Sequence, residues 1–370
     1  MHYIRFLKAP YIASEGNKTL LKCLITITTD LGDAFYPEEV PVTVTLRSED
    51  PDGDIFLRKN LAWSNGMRSL PIAFDITNTD VDWPARVHIC KKGSPYSDHF
   101  ESHHPGSPPS IISAWSDILN PSESILEAKK LVERRFTPVS NRVISIWEET
   151  GESITRHLWD AGVVLAGFLD RVIALQQHDE LRALEHALAS ATYKRLNVLE
   201  LGCGSGIVGI AMAQTIPDCS VLLTDLPEAE ELVQRNIAGM NPAMSSEVRF
   251  EPLDWEAEIP PKIRDKMLDI IVVADCTYNP DSAPDLVRTI AAFTSRSPKA
   301  IVVVSMKNRH PSESIFFELM SAANLIEASH SKVLLRDNAT PVDVFVYHHK
   351  DRPPTRDEEG TSHSGSTGST

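Results

Sequence analysis

Three glycines at alternate positions, Gly202, Gly204 and Gly206, follow an apolar run that carries Glu200, and apolar residues resume at Ile207. Glycine is needed where backbone must enter conformations closed to other residues, or where a ligand lies so near the main chain that a Cβ would collide with it. The segment from Asn197 to Gly209, NVLELGCGSGIVG, therefore reads as a buried strand, a tight turn and the start of a helix, with a loop open to a flat ligand. Gly204, Gly206 and Gly209 also satisfy the G-x-G-x-x-G spacing of dinucleotide folds. Two carboxylates favour a different nucleoside. Glu200, before the first glycine, is a poor neighbour for a pyrophosphate and a suitable one for the amino-acid end and sulfonium charge of S-adenosylmethionine. Asp225 ends the next apolar run, 19 residues after Gly206, where an acid can accept hydrogen bonds from both ribose hydroxyls.

Three further segments carry side chains of the right chemistry. In Leu253-Asp254-Trp255, Asp254 can accept from the exocyclic amine of adenine while Trp255 packs near the base. In Ala274-Asp275-Cys276-Thr277-Tyr278, an acid and a phenol stand three residues apart behind a small residue that lets a ligand approach the backbone. Trp159 precedes a helix whose N-cap is expected to be Asp160, and an indole there can cover a ligand in the neighbouring loop. Each feature has a plainer reading as a turn acid, a core aromatic or a strand end. Their order along one α/β repeat favours a site, because ligands of open α/β sheets sit at the carboxyl ends of the strands.

These motifs, residues 198–209 with LTDLPEAEELVQRNI at 223–237, LDWEAEIP at 253–260 and DIIVVADCTYNP at 269–280, resemble the seven-β-strand methyltransferases. Within them the chain resembles family 16, the lysine methyltransferase-like group, over about residues 140–349. The resemblance implies S-adenosylmethionine as cofactor, bound by Trp159, Glu200, Gly202, Cys203, Gly204, Asp225, Leu226, Asp254, Trp255 and Ala274. It assigns the (D/E)-x-x-(Y/F) signature, here Asp275 and Tyr278, to cofactor and substrate placement. A protein lysine is the implied acceptor. Free lysine titrates near a pKa of about 10.4, so transfer to its nitrogen needs desolvation or a nearby positive charge to supply neutral amine. The Asp275 carboxylate is the expected orienting group and Tyr278 the channel wall. Three alternatives stay open: a small-molecule N-methyltransferase of the nicotinamide type, a non-catalytic scaffold that keeps the fold, and a dinucleotide oxidoreductase.

Composition bounds these readings. The 370 residues are 42% hydrophobic and 24% charged, an ordinary globular balance and more chain than one core usually needs. No apolar run is long enough to span a bilayer and Met1 to Arg5 does not open a signal peptide, so the cytosol or nucleus is the expected compartment. A net charge of −15 disfavours general nucleic-acid binding and suits a basic partner. The five cysteines lack C-x-x-C spacing, which argues against structural zinc and a disulfide framework. His99, His103 and His104 lack a companion acid-and-helix pattern, and no metal site is expected.

The positioning elements follow. Short β-type runs separated by turns over residues 1–92 predict an all-β, sandwich-like accessory domain. Residues 93–120, rich in Ser, Pro and His, are expected to be a linker, and 350–370 a disordered tail. Ser122 to Phe136 reads as an amphipathic helix with Ile125, Ala128, Leu131, Val132 and Phe136 on one stripe. A helix Ala161 to Leu175 and another at Leu181 to Ser190 lead into an α/β alternation from Asn197. Its strands are expected at 198–201, 220–224, 247–251, 268–274, 300–305, 332–336 and 342–348, with helices beginning near 207, 228, 284 and 312. The fold class is therefore α/β: a doubly wound, Rossmann-like sheet of seven strands ending in an antiparallel hairpin, within a methyltransferase domain spanning 121–349.

Overall fold

The computed structural model describes residues 1–50, 53–93, 96–100, 109–150, 156–174, 182–189, 193–335 and 340–353. Its first half is built from period-two alternation. In β1 (His2–Glu15), β2 (Lys18–Thr29) and β3 (Val40–Ser48), alternate residues such as Leu21, Cys23, Ile25 and Ile27, or Val40, Val42, Val44 and Leu46, are buried. Such a pattern buries one face of a strand and leaves the other to polar groups. Then come β4 (Ile55–Trp63), β5 (Leu70–Asp75) and β6 (Ala85–Lys91). The short strands β7 (Asp98–His99), β8 (Ile111–Ile112) and β9 (Ala114–Ser116) precede β10 (Leu131–Thr137) and β11 (Ile144–Glu149). They form a four-stranded sheet in the order β5-β2-β1-β8 and a seven-stranded one along β11-β10-β9-β6-β3-β4, with β7 beside β10. The inward residues of both sheets share one core, in which Ile4, Ile25 and Ile27 meet Val44, Val87 and Val132.

Two expectations about this half are corrected. Ser122 to Phe136 is no helix: after a three-residue 3-10 turn at Pro121–Glu123 the chain extends into β10, antiparallel to β9 and β11. The charged residues that suggested a solvated helical face are interior ion partners instead. Arg134 is fully buried against Glu148, and Arg135 lies on Glu133. The expected linker also contributes structure, since β7, β8 and β9 fall inside 93–120 and Trp115 is fully buried. The β-rich half therefore runs through Glu149 rather than stopping at 92. Residues 101–108, with His103 and His104, and the tail from 354 lie outside the described residues.

The second half opens with α1 (Asp160–Ile173) and α2 (Arg182–Ala189). It continues as β12 (Leu196–Leu201), α3 (Ile207–Thr215), β13 (Cys219–Asp225), α4 (Glu230–Gly239), β14 (Glu247–Pro252), α5 (Pro261–Arg264), β15 (Ile270–Ala274), α6 (Ala283–Arg296) and β16 (Ile301–Met306). After α7 (Ile315–Ala322) it closes with β17 (Leu325–Val333) and β18 (Val342–His349). The sheet order is β14-β13-β12-β15-β16-β18-β17. Strands β12 to β16 pair in parallel, while β18 runs antiparallel to both β16 and β17. β17 begins seven residues before the expected 332 because it is an edge strand. Its polar residues Glu327, Ser329 and His330 interrupt the apolar run by which the inner strands are recognised. Residues 336–339, in the predicted hairpin turn, lie outside the described residues.

Apolar clusters cover both faces of this sheet, and one of them joins the two halves. Ile144 and Ile146 of β11 pack with α1 and α3, together with Met1, Tyr3 and Phe136. Asn236 of α4 receives the Trp147 amide and donates to the carbonyls of Trp147 and Ser205. No helix of the described residues is long and apolar enough to cross a membrane.

Candidate active site

Chain order reverses between β12 and β15, and a cavity of about 260 Å³ opens there at the carboxyl edge of the sheet. Of the predicted residues, Trp159, Gly202, Gly204, Asp225, Leu226, Asp254, Trp255, Ala274, Asp275 and Tyr278 line it. Glu200 and Cys203 do not.

Glu200 is corrected on geometry. Its side chain, 1% exposed, turns beneath the loop and accepts the Gly209 amide at 2.7 Å, tying β12 to the first turn of α3. A Cβ at Gly209 would come within 2.5 Å of Leu223 and 2.7 Å of the Glu200 carboxylate, so this third glycine serves strand-to-helix packing rather than a ligand. Burial lifts the Glu200 carboxyl to about 8 against the pull of that amide. Cys203 is likewise corrected: it packs into the core beneath the loop, and burial drives its thiol well up.

The loop above is shaped by Gly202, Gly204 and Gly206, all at positive φ. A Cβ on Gly202 would meet the Cys276 sulfur at 2.5 Å and the Trp255 ring at 3.1 Å. Its amides are largely spent on the protein itself: Cys203 N–H donates to Thr224, Gly206 N–H to Cys203, and Gly204 N–H to Asp225. A dinucleotide loop needs those donors for its pyrophosphate, so the arrangement argues against the oxidoreductase alternative.

Asp225 ends β13, with Oδ2 accepting from Gly204 N–H and Oδ1 from Leu226 N–H, each at 2.7 Å. Two backbone donors fix a carboxylate that still has lone pairs for the cavity. Burial raises its pKa against those amides. Beside it, Trp255 forms a half-buried wall whose carbonyl accepts from Arg288. The exposed Asp254 caps the turn through the Glu256 amide.

Asp275 closes the opposite wall. Its backbone is left-handed at φ 58°, a conformation that Asp tolerates better than most residues. Both carboxylate oxygens accept from Arg309, Nη1 to Oδ1 at 2.6 Å and Nη2 to Oδ2 at 2.8 Å. Burial pushes the Asp275 pKa up while the guanidinium pulls the other way, and Arg309 is itself held above its ordinary value. Tyr278, half exposed, stands at the mouth.

Sequence reasoning missed Arg309. The only signal was a pair of cations, Lys307 and Arg309, just past the buried strand β16. It also misassigned Asp160, which caps nothing with its side chain. Instead the buried carboxylate receives the Tyr3 hydroxyl, the Met1 amino group and Lys307 Nζ, each at 2.8 Å. Three donors hold it in an interior seam, so Trp159 starts α1 without a side-chain cap.

Residues 139–323 match the lysine methyltransferase family model. The chain belongs to the lysine methyltransferase family. It is an S-adenosylmethionine-dependent methyltransferase. A UPF0665 family protein of Schizosaccharomyces pombe is 28% identical over 318 residues, 85% of this chain and 91% of that one. A match of that length must take in part of the β-rich half. The protein-lysine N-methyltransferase EFM2 of Saccharomyces cerevisiae is 28% identical over 39% of this chain and 37% of its own. The protein N-lysine methyltransferase METTL21A of Xenopus tropicalis is 27% identical over 47% and 69%.

The cavity suits this family's cofactor by its own features. Asp225 offers carboxylate acceptors to a diol, Gly202 leaves the loop open, and the indole Nε1 of Trp255 is buried with no acceptor among the described residues. When bound, the cofactor supplies an electrophilic methyl group on a sulfonium centre. Asp225, Trp255 and the Gly202–Gly204 loop would hold its nucleoside end, and Ala274 leaves room beside the backbone. Asp275, held by Arg309, would be the acceptor nearest an incoming nucleophile, and Trp159 and Tyr278 supply aromatic surface along the cavity. Transfer of this kind depends on alignment and a dry site more than on a strong acid.

Proposed function

We propose that the acceptor is the ε-amine of a lysine on a protein substrate. The observation that carries this reading is the charge of the cavity wall. Asp225, Asp254, Glu256, Asp275 and Asp285 line it, and no lysine or arginine among the described residues does; Arg309 and Arg288 pair with Asp275 and Asp285. A surface of that sign draws in a cationic side chain and favours the cation formed when the nitrogen gains its methyl group. A neutral pyridine ring would gain little from it. The long, unbranched lysine chain reaches past Tyr278 while its protein stays outside. The names borne by EFM2 and METTL21A support the same acceptor class.

Before attack the ammonium must lose its proton, which solvent at the open Tyr278 side can take. Asp275 then orients the neutral amine through a remaining lone pair while its other lone pairs stay on Arg309. The cytosol or nucleus, where protein lysines are abundant and thiols stay reduced, is the proposed compartment.

Incubation of the full chain with tritiated S-adenosylmethionine and a cell extract, followed by mass spectrometry of labelled bands, tests the reading. A methyl-lysine in a protein band is expected. Label confined to small molecules would replace it with the metabolite alternative, and cofactor binding without any label would favour the scaffold. Asp275→Asn should slow transfer by roughly a hundredfold while cofactor affinity changes little, because only the acceptor side loses its charged acceptor. Full turnover in that variant would remove Asp275 from its orienting role.

A further inference from the structure

Arg309 does not hold Asp275 alone. Its Nη2 also donates to Oδ2 of Asp30 at 2.7 Å. Asp30 follows β2 in the β-rich half, is 2% exposed and does not line the cavity. Its second oxygen faces Lys307 Nζ at 3.4 Å, and its backbone carbonyl accepts from Arg5 Nη2 at 2.8 Å. The Asp30 backbone is thus tied to its own sheet, the Leu31 amide donates to the carboxylate at 3.0 Å, and that carboxylate is presented to Lys307 and Arg309 of the other half.

As a stabilising device this seam is a poor investment of structure, since desolvating two ions offsets most of their attraction. As a positioning device it is well made. A bidentate pair by itself can swing as a unit about its two side chains. A third anchor on the same guanidinium removes that freedom, and planar, forked arginine is the cation able to bridge two carboxylates at once. We infer that Asp30 is a positioning residue for methyl transfer: it locks Arg309, and through Arg309 the Asp275 carboxylate, so that the β-rich half completes the active site. This rests on the lysine reading, in which Asp275 orients the nucleophile. The S. pombe relative fits it, since its match extends into the β-rich half.

The test uses the full chain carrying Asp30→Ala and, as a milder change that keeps one acceptor oxygen, Asp30→Asn. Single-turnover transfer of tritiated methyl to the protein band that the wild type labels should slow by roughly tenfold to a hundredfold in the alanine variant, the range expected of misplaced reacting groups. Affinity for S-adenosylmethionine, read by calorimetry, should stay within about twofold, because Asp30 is remote from the Asp225 end. Nitrogen-15 spectra of the arginine side chains supply a readout independent of activity. The Nη1 and Nη2 resonances of Arg309, assigned by their loss in Arg309→Lys, should be sharp in the wild type and broaden in Asp30→Ala as the pair with Asp275 begins to swing. Unchanged transfer in a variant that melts like the wild type would overturn the inference. So would resonances that stay as sharp as those of the wild type, or a proportional fall of cofactor affinity and rate, which is the mark of general loosening. If alanine prevents folding, Asp30→Asn carries the same three readouts. A wild-type chain that labels no protein band counts against the lysine acceptor, while the arginine spectra still decide whether Asp30 fixes Arg309.

Discussion

The two ends of the cavity hold their carboxylates by different means. Asp225 is set by two backbone amides, those of Gly204 and Leu226, and every group that fixes it belongs to the α/β sheet. Asp275 is set by a guanidinium on another strand's exit loop, and that guanidinium is shared with an acid of the β-rich half. Backbone amides cannot be altered by a side-chain substitution, whereas a side-chain lock can be gained, lost or retuned one residue at a time. On the proposed reading the cofactor end is complete within the α/β half, and the acceptor end is assembled from both halves of the chain.

Substitution at each end should separate the two. The largest effect is expected for Asp225→Ala, which strips the loop of its anchor and removes the diol acceptor together. Calorimetry should show cofactor affinity weakened by roughly a hundredfold, the scale of two lost charge-assisted hydrogen bonds. Affinity close to that of the wild type would mean that the nucleoside lies elsewhere. Arg309→Met comes next, with a loss in transfer of about tenfold to a hundredfold at nearly constant cofactor affinity. It also carries a signed pH effect. Arg309 opposes the burial that raises Asp275, so its removal lets that pKa climb further. The orienting carboxylate then becomes protonated at higher pH, and the acid limb of the rate profile should move upward. A limb that stays in place would show that Asp275 does not govern it.

The same contrast explains what could be read from the sequence. The Asp225 end was legible because its determinants are local: apolar runs ending in Gly or Asp, repeated at α/β spacing, give strand, turn and helix with little reference to the rest of the chain. The ends of β12, β13, β14 and β15 each carry their own turn chemistry. The Asp275 end was legible only as far as Asp275 and Tyr278. Asp30 sits in a turn sequence, Thr29-Asp30-Leu31-Gly32, where an acid is ordinary, and nothing local marks it as a partner of Arg309. β10 was hidden for a related reason. Arg134 is buried against the cross-strand carboxylate of Glu148 and Arg135 against that of Glu133 on its own strand, so their charge mimicked a solvated face, and the apolar spacing around them matched a helix by coincidence. Asp160 combined both effects, standing where a cap belongs while paired to groups far along the chain.

The smallest expected effect concerns Glu200, which tells the loop's support apart from its ligand. Its carboxyl titrates near 8 in the folded chain and near about 4.3 when exposed in the unfolded one. Between those values the folded state holds a proton that the unfolded state has released. The resulting stability is complete below the lower value and is lost as pH climbs through the upper one. Glu200→Gln keeps an oxygen for the Gly209 amide and cannot ionise, so the melting temperature of the variant should gain on that of the wild type from pH 5 to pH 8. Each pH unit in that window is worth up to about 1.4 kcal/mol, a shift of a few degrees at this chain length. Cofactor affinity should remain within about threefold, since the side chain lies under the loop and outside the cavity. Parallel melting profiles would show that Glu200 is ionised in the folded protein. A large loss of affinity would return it to the ligand side of the loop.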